Sequence, residues 1–194
     1  MNNKKIVISV FLLIALIQLY VPSRMIWSRE AILKRGTEYR FRTAPIDPTD
    51  PFRGKYIILN FEDNTTQIES GKNWASGEQI YVYLTTNNNG FAVIKSVSKE
   101  KPIDNQPFVK AKVSFVTGND SGNLVIDYPF NRFYMEESKA YEAELLHAES
   151  QQDSSKITYA LVSIKNGNAV LKDVLIDGVS ISEAVIKSRE EIKK

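Results

Sequence analysis

Few residues in this chain could do covalent or metal chemistry. It has no cysteine and one histidine, His147. Thiolate nucleophiles, disulfides and cysteine–zinc sites are therefore excluded, and any histidine triad would have to run through that one ring. The carboxylates and cations that could act together lie in one stretch. Asp47, Asp50 and Arg53 fall in a run broken by Pro45, Pro48 and Pro51. Each proline fixes its own φ and pushes the preceding residue toward extended geometry. The run reads as a stiff arch whose carboxylates grip the Arg53 guanidinium. The same oxygens, with Glu62 and Asp63, could serve a ligand or a calcium ion, as in a hydrolase or calcium-dependent enzyme. No dense acidic calcium loop is present, so neither a metal nor a cofactor is expected.

Other candidates are weaker. Arg132 and Glu136, with Glu137 beside it, form a charged group that reads as structural pairing. Trp74, in the loop of residues 73–77, is the best candidate for an exposed contact point. With Tyr81, Tyr83 and Tyr128 it could stack on the sugar rings of an envelope polymer, although aromatics on strands read first as core or sheet-face residues. His147 falls on a charged helical stretch and reads as a surface residue. No Walker loop, dinucleotide fingerprint or nucleophile elbow occurs.

These residues need elements to hold them. The chain has 194 residues, 43% hydrophobic and 25% charged, enough for a domain with its own core. A net charge of +2 leaves no footprint for nucleic acid. Residues 6–21 form an uncharged apolar run, which as a helix would be about 24 Å long. We expect a cytoplasmic tail (1–5), a single transmembrane anchor (6–23) and a juxtamembrane helix (24–36), with Gly36 as its C′ residue. An anchor is favoured over a cleaved signal because Val21-Pro22-Ser23 is a poor cleavage site. Arg24, Arg29, Lys34 and Arg35 outnumber Lys4 and Lys5, which by the positive-inside rule would hold the domain in the cytoplasm. A short two-lysine start before an apolar run is instead typical of an exported chain. The expected placement is the cytoplasmic (inner) membrane with the domain outside.

The body reads as mainly β. Residues 37–43 alternate, with Tyr39 and Phe41 on one side. Asn89-Gly90 and Asn166-Gly167 each sit between alternating runs and predict hairpins with type I′ turns. The two hairpins match at an offset of 77, and Pro51-Phe52 with Tyr56 match Pro129-Phe130 with Tyr134 at an offset of 78. Residues 37–107 and 108–178 thus read as two repeats within a β domain of 37–178. The expected fold is a duplicated antiparallel β sandwich or barrel-like domain with one or two short helices. One helix spans 136–149, with Tyr141, Leu145 and Ala148 as its inner stripe. Another lies within 179–194, opened by a capping box from Ser180 to Glu183, with Ile181 and Val185 facing inward.

After the arch comes Gly54-Lys55-Tyr56-Ile57-Ile58-Leu59-Asn60-Phe61. Ile57, Leu59 and Phe61 share one face of a strand; Tyr56 and Ile58 share the other. Both faces are apolar at the start, which calls for cover on two sides or a bulge. This segment resembles the motif that names the GDYXXLXY family, a bacterial group of membrane-anchored proteins. The lead-in at 43–54, the Arg-Phe-Tyr-Met-Glu segment at 132–136 and Ile176-Asp177-Gly178 also resemble it. Two positions depart from the motif: its Asp is Lys55 here and its final Tyr is Phe61. The resemblance carries no biochemical activity. It implies an envelope location and a partnership with a multi-pass membrane protein. The expected role is thus an accessory or binding module rather than an enzyme.

Overall fold

The computed structural model describes residues 3–45, 56–68, 73–103, 106–117, 122–153 and 156–192. In chain order the elements are α1 (Asn3–Arg35), β1 (Thr37–Ala44), β2 (Tyr56–Ile58), β3 (Asn60–Phe61), β4 (Thr65–Gln67), β5 (Gln79–Thr86) and β6 (Ala92–Ser98). Then come β7 (Phe108–Thr117), β8 (Asn123–Asp127), β9 (Arg132–Tyr134), α2 (Glu137–Gln152), β10 (Thr158–Lys165), β11 (Asn168–Ile176), β12 (Val179–Ser180) and α3 (Ile181–Ile192).

The anchor and juxtamembrane segments are one helix. α1 has 33 residues and is about 50 Å long. It is long and apolar enough to cross a membrane, and its most apolar window has a mean hydropathy of 2.4. Pro22 does not break it, although it withholds an N–H from the carbonyl one turn back. The Ser23 hydroxyl donates to the Leu19 carbonyl at 2.8 Å beside it. The foot of α1 packs against β10 and β11, where Ile32 is its buried residue.

Gly36 ends the helix for a different reason from the one expected. Its φ is not left-handed, so it is not a C′ residue of that kind. Its N–H donates to the Ile32 carbonyl at 2.8 Å. A Cβ there would lie 2.5 Å from the Ile32 oxygen and 3.1 Å from the Ile164 oxygen. Both are backbone atoms, so the junction must shift to admit it. Gly36→Ala is therefore expected to destabilise the detergent-solubilised chain by about 1–3 kcal/mol in urea melts. An unchanged midpoint would mean that α1 and β10 do not meet there.

Two five-stranded sheets form the body, in the orders β12-β11-β10-β1-β3 and β4-β8-β7-β5-β6. The orders correspond. β1 lies between the β10–β11 hairpin and β3, and β7 lies between the β5–β6 hairpin and β8. The leading strand of each half thus pairs with the hairpin of the other. Parallel bridges Arg40–Phe91 and Val109–Gly167 join the sheets at two seams, leaving a nearly closed barrel. Both hairpins also slip register at the matched place. The pairing passes over Lys95 in β6 and Lys172 in β11, two positions 77 apart.

The turns explain the change of offset from 78 to 77. Asn166 and Gly167 have φ of 52° and 76° and form the two-residue loop closed by the Lys165–Asn168 pair; this is the expected type I′ turn. The other hairpin differs. Asn89 has no positive φ, Gly90 N–H donates to the Asn87 carbonyl at 3.0 Å, and Asn87 N–H donates to Phe91 at 2.9 Å. That is a type I turn closed by a glycine bulge, one residue longer.

Alternation fills the barrel. Ile80, Val82 and Leu84 on β5 point inward, as do Thr158, Ala160 and Val162 on β10. Phe41, Phe61, Tyr128 and Phe130 form an aromatic cluster with ring centroids 4.9–5.8 Å apart. Each such ring contributes roughly 1.5–3 kcal/mol through burial.

α2 turns an unexpected face to the barrel. Ala140, Ala143, His147 and Ser150 are buried, whereas Tyr141, Leu145 and Ala148 are exposed. Small and polar side chains let the helix lie close to β1 and β10. Thr158 Oγ1 donates to Ser150 Oγ at 2.9 Å, Ser150 Oγ to the His147 carbonyl at 2.7 Å, and Gln151 Nε2 to Thr43 Oγ1 at 2.7 Å. His147 is thus a core residue and not a surface one. α3 buries Ile181 and Val185, the positions the pattern selects. Its Ser180 hydroxyl donates to Asp173 at 3.1 Å, in place of the expected bond within a capping box. Arg189 on α3 ties the two helices through Glu142 at 2.5 Å.

Candidate functional site: the motif strand and its counterpart

The motif strand does not run straight. It breaks at Leu59 into β2 and β3, which serve different partners. β3 pairs with β1. β2 pairs with β9, and this short ribbon belongs to neither sheet. The Leu59 N–H donates to the Asn131 carbonyl at 2.8 Å, which holds the break. The inner face is as expected, with Ile57, Leu59 and Phe61 buried. The outer face is not covered: Ile58 is 40% exposed. A change of partner resolves the two-faced strand, where cover or a bulge was expected.

The ribbon brings the motif tyrosine to its counterpart. Tyr56 lies opposite Tyr134, Ile57 opposite Phe133 and Ile58 opposite Arg132. The two tyrosine rings are 5.3 Å apart, and the Arg132 guanidinium lies 5.2 Å from the centre of the Tyr56 ring. Such a contact is worth roughly 0.5–1 kcal/mol at an exposed site. Tyr134 is 64% exposed, and α2 packs against β2 from the side. The result is a projecting aromatic surface with one fixed positive charge. It suits a partner surface that offers apolar area and acceptors.

Of the sequence candidates, Tyr56 and Arg132 are therefore brought together. Glu136 is not part of that contact; it precedes α2 and pairs with Lys139 at 3.0 Å. Trp74 is elsewhere and is no exposed contact point. It is half-buried against the core, Lys99 lies 5.1 Å over its ring, and its Nε1 is buried without a partner. Tyr128 is core as well, its hydroxyl donating to the Asp63 carbonyl at 3.0 Å. Asp47, Asp50 and Arg53, with the arch and Lys55, lie outside the described residues. The acids expected to join them have other tasks. Glu62 pairs with Arg42 at 3.2 Å, and the Asp63 carboxylate accepts the Ile94 N–H. Burial pushes the Asp63 carboxyl above its usual range, against the pull of that N–H. Among the described residues, no three His, Cys, Asp or Glu side chains gather as metal ligands.

Tyr134 was matched to Tyr56 in the sequence but not read as a site residue, although the signal was there. It stands 78 residues after Tyr56, the spacing that relates the two halves. Phe61 is 3% exposed inside the aromatic cluster, so the final motif position here needs no hydroxyl.

A mainly β body with a nearly closed barrel-like sheet, an N-terminal apolar helix and a broken motif strand define the class. The model of the GDYXXLXY protein family matches residues 18–174, and the chain belongs to that family. No curated protein and no solved structure matches it.

Proposed function

We propose that this protein is a membrane-tethered binding module with no catalytic centre of its own, and that the β2–β9 ribbon is its contact surface. α1 serves as a single-pass anchor in the cytoplasmic membrane, with the barrel on the outer side. The partner is a multi-pass membrane protein. The barrel consists of two copies of one unit, residues 37–107 and 108–178; matched sheet orders and matched register slips support this reading. The observation that carries the function is the use made of the family motif. Leu59 and Phe61 build core, while Tyr56 supports an exposed Tyr–Arg surface. Tethering raises local concentration, so a small contact suffices.

Photocrosslinking in spheroplasts tests this reading. A photoreactive phenylalanine analogue at Tyr134 should yield an adduct with a multi-pass membrane protein, and one at Tyr141 or Ile186 a weaker yield. Equal yields at all three sites, or none at Tyr134, would remove the ribbon from consideration. Protease added to the same spheroplasts should digest the barrel; full protection would overturn the outer placement.

A further inference from the structure

The cations of this chain are unevenly placed. Two open clefts adjoin where α1 meets the barrel. One, of about 590 Å³, lies between the last turns of α1 and the β10–β11 turn. The other, of about 740 Å³, continues along the barrel from Arg35. Arg24 and Arg29 line the first, Arg35, Lys101 and Lys165 line the second, and Lys110 lines both. Among the described residues, no carboxylate lines either cleft. The whole chain carries 25 basic against 23 acidic residues, so this is a local excess and not a general one. Among the described residues these cations form no salt bridge, unlike Lys34, which pairs with Glu30 at 2.8 Å. Lys110 is held at its place by Asn168, with Nζ to Oδ1 at 3.2 Å.

The first cleft is amphipathic along the helix. Tyr20, Val21 and Met25 line its lower part with Arg24 among them, and Arg29 and Lys110 line its upper part. One further feature sets its depth. Trp27, 71% exposed on α1, has the character of a side chain at a bilayer–water boundary.

We propose that the cleft between α1 and the barrel is a binding site for the headgroup of an anionic phospholipid from the bilayer that α1 spans. The phosphate sits between Arg29 and Lys110, and an acyl chain runs down past Met25 and Val21. Arg35, Lys101 and Lys165 extend the same field to neighbouring headgroups. Arginine offers a phosphate a planar two-donor fork, lysine a point charge. The site would fix how the barrel stands on the membrane, and so where the ribbon points. The inference rests on α1 being an anchor, which carbonate extraction tests separately: release without detergent would remove that reading.

Lipid retention by the full chain in detergent, measured by native mass spectrometry, tests the site itself. With equal phosphatidylglycerol and phosphatidylcholine, the anionic lipid should be retained preferentially. Each of Arg29→Gln and Lys110→Gln should reduce that preference roughly fivefold. Lys187→Gln, on α3, should leave it unchanged. Equal retention of the two lipids, an unaltered preference in the Arg29→Gln/Lys110→Gln double variant, or full displacement by millimolar inorganic phosphate would each overturn the proposal.

Discussion

Gly167→Ala is expected to lower stability by about 3 kcal/mol, more than any surface change in this chain. Gly167 closes the β10–β11 turn at φ 76°. A left-handed backbone penalises any residue with a Cβ by about 1–2 kcal/mol. A second penalty comes from the seam. An added Cβ would lie 2.2 Å from Cε2 of Phe108, and Phe108 is itself packed edge-on against Tyr81 at 5.9 Å. Forcing the ring aside costs a further ~1–3 kcal/mol. Gly90 supplies the comparison. It has φ 81°, and nothing lies within 4 Å of an added Cβ, so Gly90→Ala should lose only the backbone part, about 1–2 kcal/mol. Urea melts of the full chain in detergent measure both. Phe108→Ala in the Gly167→Ala background should recover part of the loss, a coupling expected only for side chains in contact. Equal losses at the two glycines would mean that the Val109–Gly167 seam is not closed.

Acid should weaken the fold through His147. Burial among α2 and the barrel holds its pKa at about 4, below the usual 6.5. The unfolded chain therefore binds a proton over an interval in which the folded chain does not. Stability from this group is complete above pH 6.5, falls as the pH drops, and is lost by about pH 4. A gap of this size is worth about 3 kcal/mol. Asp63 and Glu144 act in the opposite sense, because burial raises both carboxyls; protonation favours their folded form. The difference between the native chain and His147→Leu isolates the histidine. The stability of the native chain relative to His147→Leu should fall by about 3 kcal/mol from pH 7 to pH 4, as only the native chain loses the contribution of its neutral ring. A constant difference would mean that His147 is hydrated in solution.

Local turn chemistry and strict alternation made the hairpins legible, and a shared offset pointed to the matched sheet orders and register slips. Nothing local showed that each leading strand pairs with the other half, because strand exchange leaves every period unchanged. α2 misled through composition. Tyr141 and Leu145 are its large apolar residues, yet the buried side uses Ala140, Ala143, His147 and Ser150. A close-packed helix needs small residues more than greasy ones, and the hydroxyls of Ser150 and Thr158 satisfy each other. Trp74 looked exposed by its loop setting and is held against the core. In the candidate site, Tyr56 and Arg132 were recognisable by type. Their contact depended on a break in the motif strand at Leu59, which no periodicity marks.

The pairing of Tyr56 with Tyr134 underlies the proposed contact surface. The chain lacks cysteine, so a single engineered pair reports on it cleanly. Tyr56 and Tyr134 are directly opposed in an antiparallel ribbon, where Cβ atoms lie about 4.5–5.5 Å apart, close enough for a disulfide after slight adjustment. In membranes, Tyr56→Cys with Tyr134→Cys should form an intramolecular disulfide in most molecules under mild oxidation, seen as a reducible shift in gel mobility. Free thiols at both positions after the same treatment, with Tyr56→Cys and Ile186→Cys reacting no differently, would contradict the account.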